Sequence, residues 1–160
     1  LTSLLSEVYE SQIDRASAAK VELSMSLDYS VPDSFFDPRT IHDAVLNLVG
    51  NAIEACAEHE GATVEVSTKM DAANQMQSIC IQDTGPGIPF EIQRRIFEPF
   101  FSTKGSKGTG LGLAVARKSI EEHGGRLELR SAPNEGATFT VTLPVRTTPP
   151  ADSTETCGAV

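Results

Sequence analysis

Asp83-Thr-Gly-Pro-Gly87, Phe97-Glu-Pro-Phe-Phe-Ser-Thr-Lys104 and Gly108-Thr-Gly-Leu-Gly-Leu113 lie in one stretch, and the rest of the chain is organised around it. The stretch opens with one acid at the end of an apolar strand and continues as two glycine clusters bracketing an aromatic and basic loop. Glycine serves where the backbone must take φ > 0 or come close to a ligand. Two such clusters around Lys104 suggest backbone laid against a phosphorylated molecule.

The segments around this stretch alternate between two periods. Upstream, Leu1, Leu4, Leu5, Val8 and Ile13 predict an amphipathic helix over residues 1–19, and the alternation of Val21, Leu23, Met25 and Leu27 predicts a half-buried strand. Val31-Pro-Asp-Ser34 marks a turn, with a short edge strand expected at Phe35-Phe36. Asp37 as N-cap and Pro38 at the first helical position start a helix running to about Glu58. Its broad apolar arc includes Ile41, Val45, Leu48 and Ala52, while Asp43, Asn47, Asn51 and Glu54 share the other face. That polar stripe either faces water or faces a site. Residues 63–67 and 78–83 read as alternating strands joined as a hairpin through residues 70–75.

Downstream, Pro89 to Phe97 reads as a short helix, Glu98 to Gly110 as a mobile loop, and Leu111 to His123 as a helix stopped by Gly124-Gly125. Residues 126–131 and 137–145 predict two strands around a turn at Pro133-Asn-Glu-Gly136, and the two prolines and missing period of residues 147–160 predict disorder. The order of elements implies an α+β fold. It is a two-layer sandwich whose mixed, mostly antiparallel sheet is covered on one face by about three helices.

Composition narrows the function classes. A chain of 160 residues with 39% hydrophobic and 22% charged residues fits one globular domain. No apolar run is long enough for a membrane span. A net charge of −9 argues against nucleic acid as a partner, because a phosphate backbone needs a basic surface. Basic residues nevertheless concentrate between Arg94 and Lys118, among them Lys104, Lys107 and Arg117. Cys56, Cys80 and Cys157 form neither a disulfide framework nor zinc-ligand spacing, which fits a reducing cytoplasm. The start at Leu1-Thr-Ser-Leu-Leu, without Met or a signal peptide, reads as a cut end of something longer.

Each chemical feature has two readings when taken alone. Ile79, Ile81 and Asp83 share one face of their strand, so the carboxylate extends an apolar row toward the core. It either receives a ligand amino group or merely starts a turn. Gly108, Gly110 and Gly112 precede or open a helix, where free N–H groups and the dipole suit phosphate; a flexible hinge is the other reading. Their spacing is neither that of a P-loop nor that of a dinucleotide fold. Asn47 and Asn51 lie one helical turn apart and could offer amide oxygens to Mg²⁺ beside substrate phosphates, or could simply be solvated.

Together the motifs decide. Asn47-Leu-Val-Gly-Asn-Ala-Ile-Glu-Ala55, Asp83-Thr-Gly-Pro-Gly87, Phe97-Glu-Pro-Phe100 with Ser102-Thr-Lys104, and Gly108-Thr-Gly-Leu-Gly112 occur in one order and spacing. They resemble the ATP-binding catalytic domain of sensor histidine kinases, in the superfamily of gyrases, Hsp-type chaperones, histidine kinases and mismatch-repair ATPases. The resemblance covers residues 37–144, and the Phe-Phe-Ser-Thr-Lys loop looks most like nitrogen-regulation-type kinases.

The resemblance implies ATP and Mg²⁺ as cofactors. Asp83 would accept a hydrogen bond from the adenine amino group, Gly87 would let backbone approach the ring, and Thr138 would support the base. Asn51 would hold Mg²⁺ with Asn47 beside it, Lys104 would reach the phosphates, and the amides at Gly110, Leu111 and Gly112 would cradle them. Glu54, Gly85, Ile88, Phe97, Thr103, Gly108 and Thr109 complete the expected site, and the loop from Glu98 to Thr109 would be a lid. The superfamily's ATPases carry a glutamate at the position of Asn47, and an amide cannot serve as a general base at neutral pH. The site would therefore hold ATP for transfer to a histidine elsewhere.

His42, His59 and His123 do not match a phosphoacceptor box: His42-Asp-Ala-Val-Leu-Asn47 lacks its proline and lies inside the expected ATP-site helix. The nucleophile is then expected on an upstream dimerisation domain of the same protein. Residues 1–20 would be the end of its helix or a linker, 21–146 the catalytic domain and 147–160 a tail. The full-length protein would be a homodimer that phosphorylates a response regulator receiver domain, with this domain in the cytoplasm and away from the membrane. A stand-alone ATPase, an anti-sigma-type serine kinase and a degenerate interaction module are the alternatives.

Overall fold

The computed structural model describes residues 1–32, 34–103 and 108–146. Lys104 and Lys107, and the tail expected at 147–160, lie outside the described residues. The elements run α1 (Thr2–Ala18), β1 (Glu22–Ser26), α2 (Pro38–Cys56), β2 (Thr63–Asp71), β3 (Met76–Asp83), α3 (Gly112–Glu122), β4 (Arg126–Ser131) and β5 (Ala137–Pro144), with one 3-10 turn at Arg95–Phe97.

The local chemistry of α2 sets its position. The Asp37 carboxylate accepts a hydrogen bond from Arg39 N at 3.0 Å, and Pro38 needs no donor at the first helical position. From that start the apolar arc of Ile41, Val45, Leu48, Val49, Ala52 and Ile53 is fully buried. Helix α2 packs against β2 and β3, with α1 and α3 flanking it. The sheet order is β1-β2-β3-β5-β4; β1 runs parallel to β2 and the other pairs are antiparallel. Strand alternation turns Val64, Val66, Ile79, Ile81, Phe139 and Val141 to the buried face, while Glu65, Gln82 and Thr138 stand on the other. One sheet face is covered and one is open, the expected two-layer sandwich.

Helix α1 is part of this packing. Leu4, Leu5, Val8 and Ala16 are buried in the common core, and Tyr9 Oη donates to Leu23 O at 3.3 Å.

Two local expectations need correction. Phe35-Phe36 forms no strand; Phe35 N donates to Arg146 O at 2.9 Å from irregular backbone. The helix expected from Pro89 to Phe97 is a run of turns ending in the 3-10 turn, held by Ile92 N to Pro89 O at 3.1 Å and Ile96 N to Ile92 O at 3.0 Å. Its backbone is tied outward instead. Gln93 Nε2 donates to Ile88 O at 2.8 Å and to Ser131 O at 2.9 Å, fixing the segment to β4.

Candidate active site

Two cavities share a wall beside α2. The first, about 450 Å³ and mainly apolar, is lined by Ala52, Asp83, Gly87, Ile88, Ile92, Ala137 and Phe139 among others. The second, about 290 Å³, is lined by Asn47, Glu54, Ser102, Gly108, Thr109, Gly110 and Gly112 among others. Asn51, Ile96, Thr103 and Leu113 line both. An apolar cavity thus continues into a polar mouth at the N-terminus of α3.

Asp83 is the charged group of the apolar slot. It ends β3 and is 4% exposed. Its Oδ1 accepts from Gly85 N at 3.0 Å and Ala137 N at 3.2 Å. Among the described residues no donor reaches Oδ2, which keeps its capacity for a group entering the cavity. Burial pushes the Asp83 carboxyl above its ordinary range, and the two backbone N–H groups pull partly the other way.

The wall beside Asp83 depends on glycine. Gly87 has φ +70°, and a Cβ there would collide with Ala132 O. Gly136 has φ +73°, and a Cβ would collide with the Asp83 carbonyl. Ser131 Oγ accepts from Ile88 N at 2.8 Å and donates to Gly136 O at 2.7 Å, so one hydroxyl ties the loop after Asp83 to the β4–β5 turn. Gly85 lies behind the acid, where a Cβ would meet Asp83 Oδ1 at 3.0 Å and Ala55 O at 3.3 Å.

The polar mouth assembles from α2 and α3. Asn47 Nδ2 donates to Asp43 O at 3.1 Å, which aims the amide oxygen at the start of α3. A Cβ on Gly112 would lie 3.0 Å from that oxygen. Among the described residues no side chain caps α3, so its first N–H groups are left for another acceptor. Gly110 has φ +67° and its carbonyl accepts from Phe100 N at 2.9 Å, joining the two sides of the loop. Phe97 meets Phe139 edge-on at 6.5 Å, and Arg117 lies 5.3 Å from the Phe97 ring centroid. Arg95 stacks over Phe101 at 4.4 Å. These contacts anchor the root of the loop.

Of the expected site residues, Asn47, Asn51, Glu54, Asp83, Gly87, Ile88, Thr103, Gly108, Thr109, Gly110 and Gly112 line one or both cavities. Gly85 and Phe97 stand behind the lining. Leu111 caps α3 with a partly exposed side chain and lines neither cavity. Thr138 is also outside the lining. Strand alternation puts its neighbours Ala137 and Phe139 on the cavity face of β5 and fixes the phase of that strand. Pairing Asp83 with Ala137 gives that phase directly, and Ala137 also supplies an N–H to the acid. Ile92 and Ile96 are further lining residues, and their i, i+4 spacing in the sequence is the signal that marks them.

Comparison with known proteins agrees with this geometry. Residues 36–147 match the family described as histidine kinase-, DNA gyrase B-, and HSP90-like ATPase. The adaptive-response sensory kinase SasA of Crocosphaera subtropica is 34% identical over 148 residues, which are 91% of this chain and 38% of SasA. The catalytic domain of histidine kinase ThkA superposes with a TM-score of 0.79 at 31% identity, covering 91% of this chain and 95% of that one. ThkA solved with the response regulator protein TrrA gives a TM-score of 0.75 at 28% identity, with 91% and 40% covered. Full-length ShkA in complex with AMPPNP gives 0.81 at 26% identity, with 92% and 30% covered. This chain therefore spans well under half the length of SasA and of full-length ShkA. The chain belongs to the histidine kinase-, DNA gyrase B- and HSP90-like ATPase family, and within it is a histidine kinase catalytic domain.

Proposed function

We propose that this domain binds Mg-ATP and presents the γ-phosphoryl group to a histidine on a separate, upstream dimerisation domain of the same protein. The observation that carries this reading is the continuity of the two cavities. An apolar slot with one buried acceptor at Asp83 opens into a mouth at an uncapped helix N-terminus. Adenine fits the first by its flat apolar faces and its amino donor. A triphosphate fits the second by its charge. ShkA, to which this chain is similar in structure, was solved in complex with AMPPNP.

Asn51 and Asn47 suit Mg²⁺ by donor chemistry, since both line the polar mouth and carry amide oxygens. Among the described residues no three His, Cys, Asp or Glu side chains cluster as a metal cage. Such a sparse donor set fits Mg²⁺, which keeps several waters and binds jointly with substrate phosphates. The ion would offset phosphate charge. Asn47 offers no base to activate water, so the residues of the site bind and orient ATP. Transfer then depends on in-line placement of the external nucleophile.

In this proposal residues 1–20 connect to the dimerisation helix, 21–146 form the catalytic domain and 147–160 a tail. By the same resemblance Lys104, outside the described residues, would reach the phosphates, and the loop would close over ATP. The partners are the protein's own phosphoacceptor domain, in a homodimer, and a response regulator; ThkA was solved with its regulator TrrA. Among the described residues no helix is long and apolar enough to cross a membrane, and we place the domain in the cytoplasm. Calorimetric titration with ATP, with and without Mg²⁺, tests the reading. One-to-one binding strengthened by Mg²⁺ is expected, and absence of binding refutes it.

A further inference from the structure

Pro86, Gly87, Ile88, Pro89 and Ile92 form one wall of the apolar cavity, yet residues 86–92 belong to no helix or strand. Backbone polar groups outside regular structure must find partners elsewhere, and the two prolines bring no N–H of their own. Side chains provide the partners. Ile88 is held at both of its backbone groups: its N–H donates to Ser131 Oγ at 2.8 Å, and its carbonyl accepts from Gln93 Nε2 at 2.8 Å. The same Gln93 nitrogen donates to Ser131 O at 2.9 Å. Both anchors therefore meet at Ser131, the last residue of β4. Ser131 pairs with Ala137 across the β4–β5 ladder, and Ala137 N donates to Asp83 Oδ1 at 3.2 Å. Gln93 thus sits where the wall carrying Ile88 closes onto the strand pair that holds the acid.

We infer that Gln93 is a positioning residue of the base end: through Ile88 and Ser131 it holds the wall of the apolar cavity in its binding-competent place. The inference rests on the ATP reading above, and it concerns a residue outside the cavity lining. A segment without ladder or helix opens at little cost, so losing a side-chain anchor moves part of the population to conformers with the wall displaced. Apparent affinity then falls by the fraction of chains that keep the wall in place. That factor applies to any ligand that uses the base cavity, whatever the length of its phosphate chain. Gln93 therefore sets how tightly the base is held and leaves the phosphate contribution unchanged.

The test compares the wild-type chain with Gln93→Met, which keeps the length and removes both donors, and Gln93→Glu, which keeps the shape and sets acceptors against two carbonyls. Each is titrated with adenosine, AMP and Mg-ATP, and backbone amide exchange is followed by NMR. Gln93→Met is expected to weaken all three ligands by one common factor of about tenfold. Gln93→Glu should weaken adenosine at least as much. Exchange of the Ile88 N–H should quicken in both variants, while the Ile81 N–H in β3 keeps its protection. Unaltered exchange at Ile88 would overturn the inference. A Gln93→Met loss that grows with phosphate charge would overturn it too, because the effect would then lie at the mouth. Loss of Ile81 protection in step with binding would show a merely structural role. If wild type binds adenosine and ATP and Gln93→Met binds both equally well, this inference fails alone; if wild type binds no ATP, the underlying reading fails with it.

Discussion

At the scale of single residues, Asp83 carries the adenine end of the site. Its folded pKa is raised by burial, so its protonated form favours the fold below the ordinary carboxylate range. That contribution is lost as pH rises through the raised value. Ligand binding has the opposite sign, because an amino donor needs the ionised acceptor. ATP affinity should therefore fall as pH drops through the raised value of Asp83, and calorimetric titrations from neutral to mildly acid pH would trace it. Asp83→Asn should weaken ATP binding by about 1–3 kcal/mol while leaving the thermal transition in place. At the other end, Asn47→Glu restores the residue type that the resemblance gives the hydrolysing relatives. A base at that position should raise phosphate release, by up to about a hundredfold. An unchanged rate would show that position 47 does not face the attacked phosphate.

At the scale of elements, the glycine turns set the walls and the periodicity sets the layers. Gly87→Ala forces a side chain into Ala132 O at positive φ. It should lower stability by about 1–3 kcal/mol in urea unfolding and close the slot to ATP. In β3 the row that ends in Asp83 also holds Gln77, which is 1% exposed and whose amide atoms have no hydrogen-bond partner among the described residues. Gln77→Met keeps the volume and removes the unpaired dipole, so the unfolding midpoint should rise by the equivalent of about 1 kcal/mol. Long elements were legible in the sequence because periodicity and caps agree there, as at Asp37-Pro38 and along α2. Pro89–Phe97 was not, because Gln93 fixes that segment through contacts with β4 that no local pattern encodes. Which residues of β5 face the cavity was not legible, because alternation alone gives two phases and only the pairing of Asp83 with Ala137 chooses between them.

At the scale of the whole molecule, one open sheet carries a helical layer whose central member, α2, serves core and site at once. Its inner arc is buried against β2 and β3, and its polar stripe lines the mouth. The stripe's two readings, solvent or site, were separable only once α3 and the glycine loop were seen to stand over it. Core and site are therefore coupled, and Leu48→Ala, a fully buried change in α2, should cost about 2–5 kcal/mol and lower ATP affinity along with stability. The central claim is that the domain holds Mg-ATP without spending it on water. The most direct test is to incubate the purified chain with labelled Mg-ATP and follow bound nucleotide and inorganic phosphate in the same sample. Intact ATP retained on the protein with negligible phosphate release is the expected result; bound ATP turning over rapidly to ADP and phosphate would contradict it.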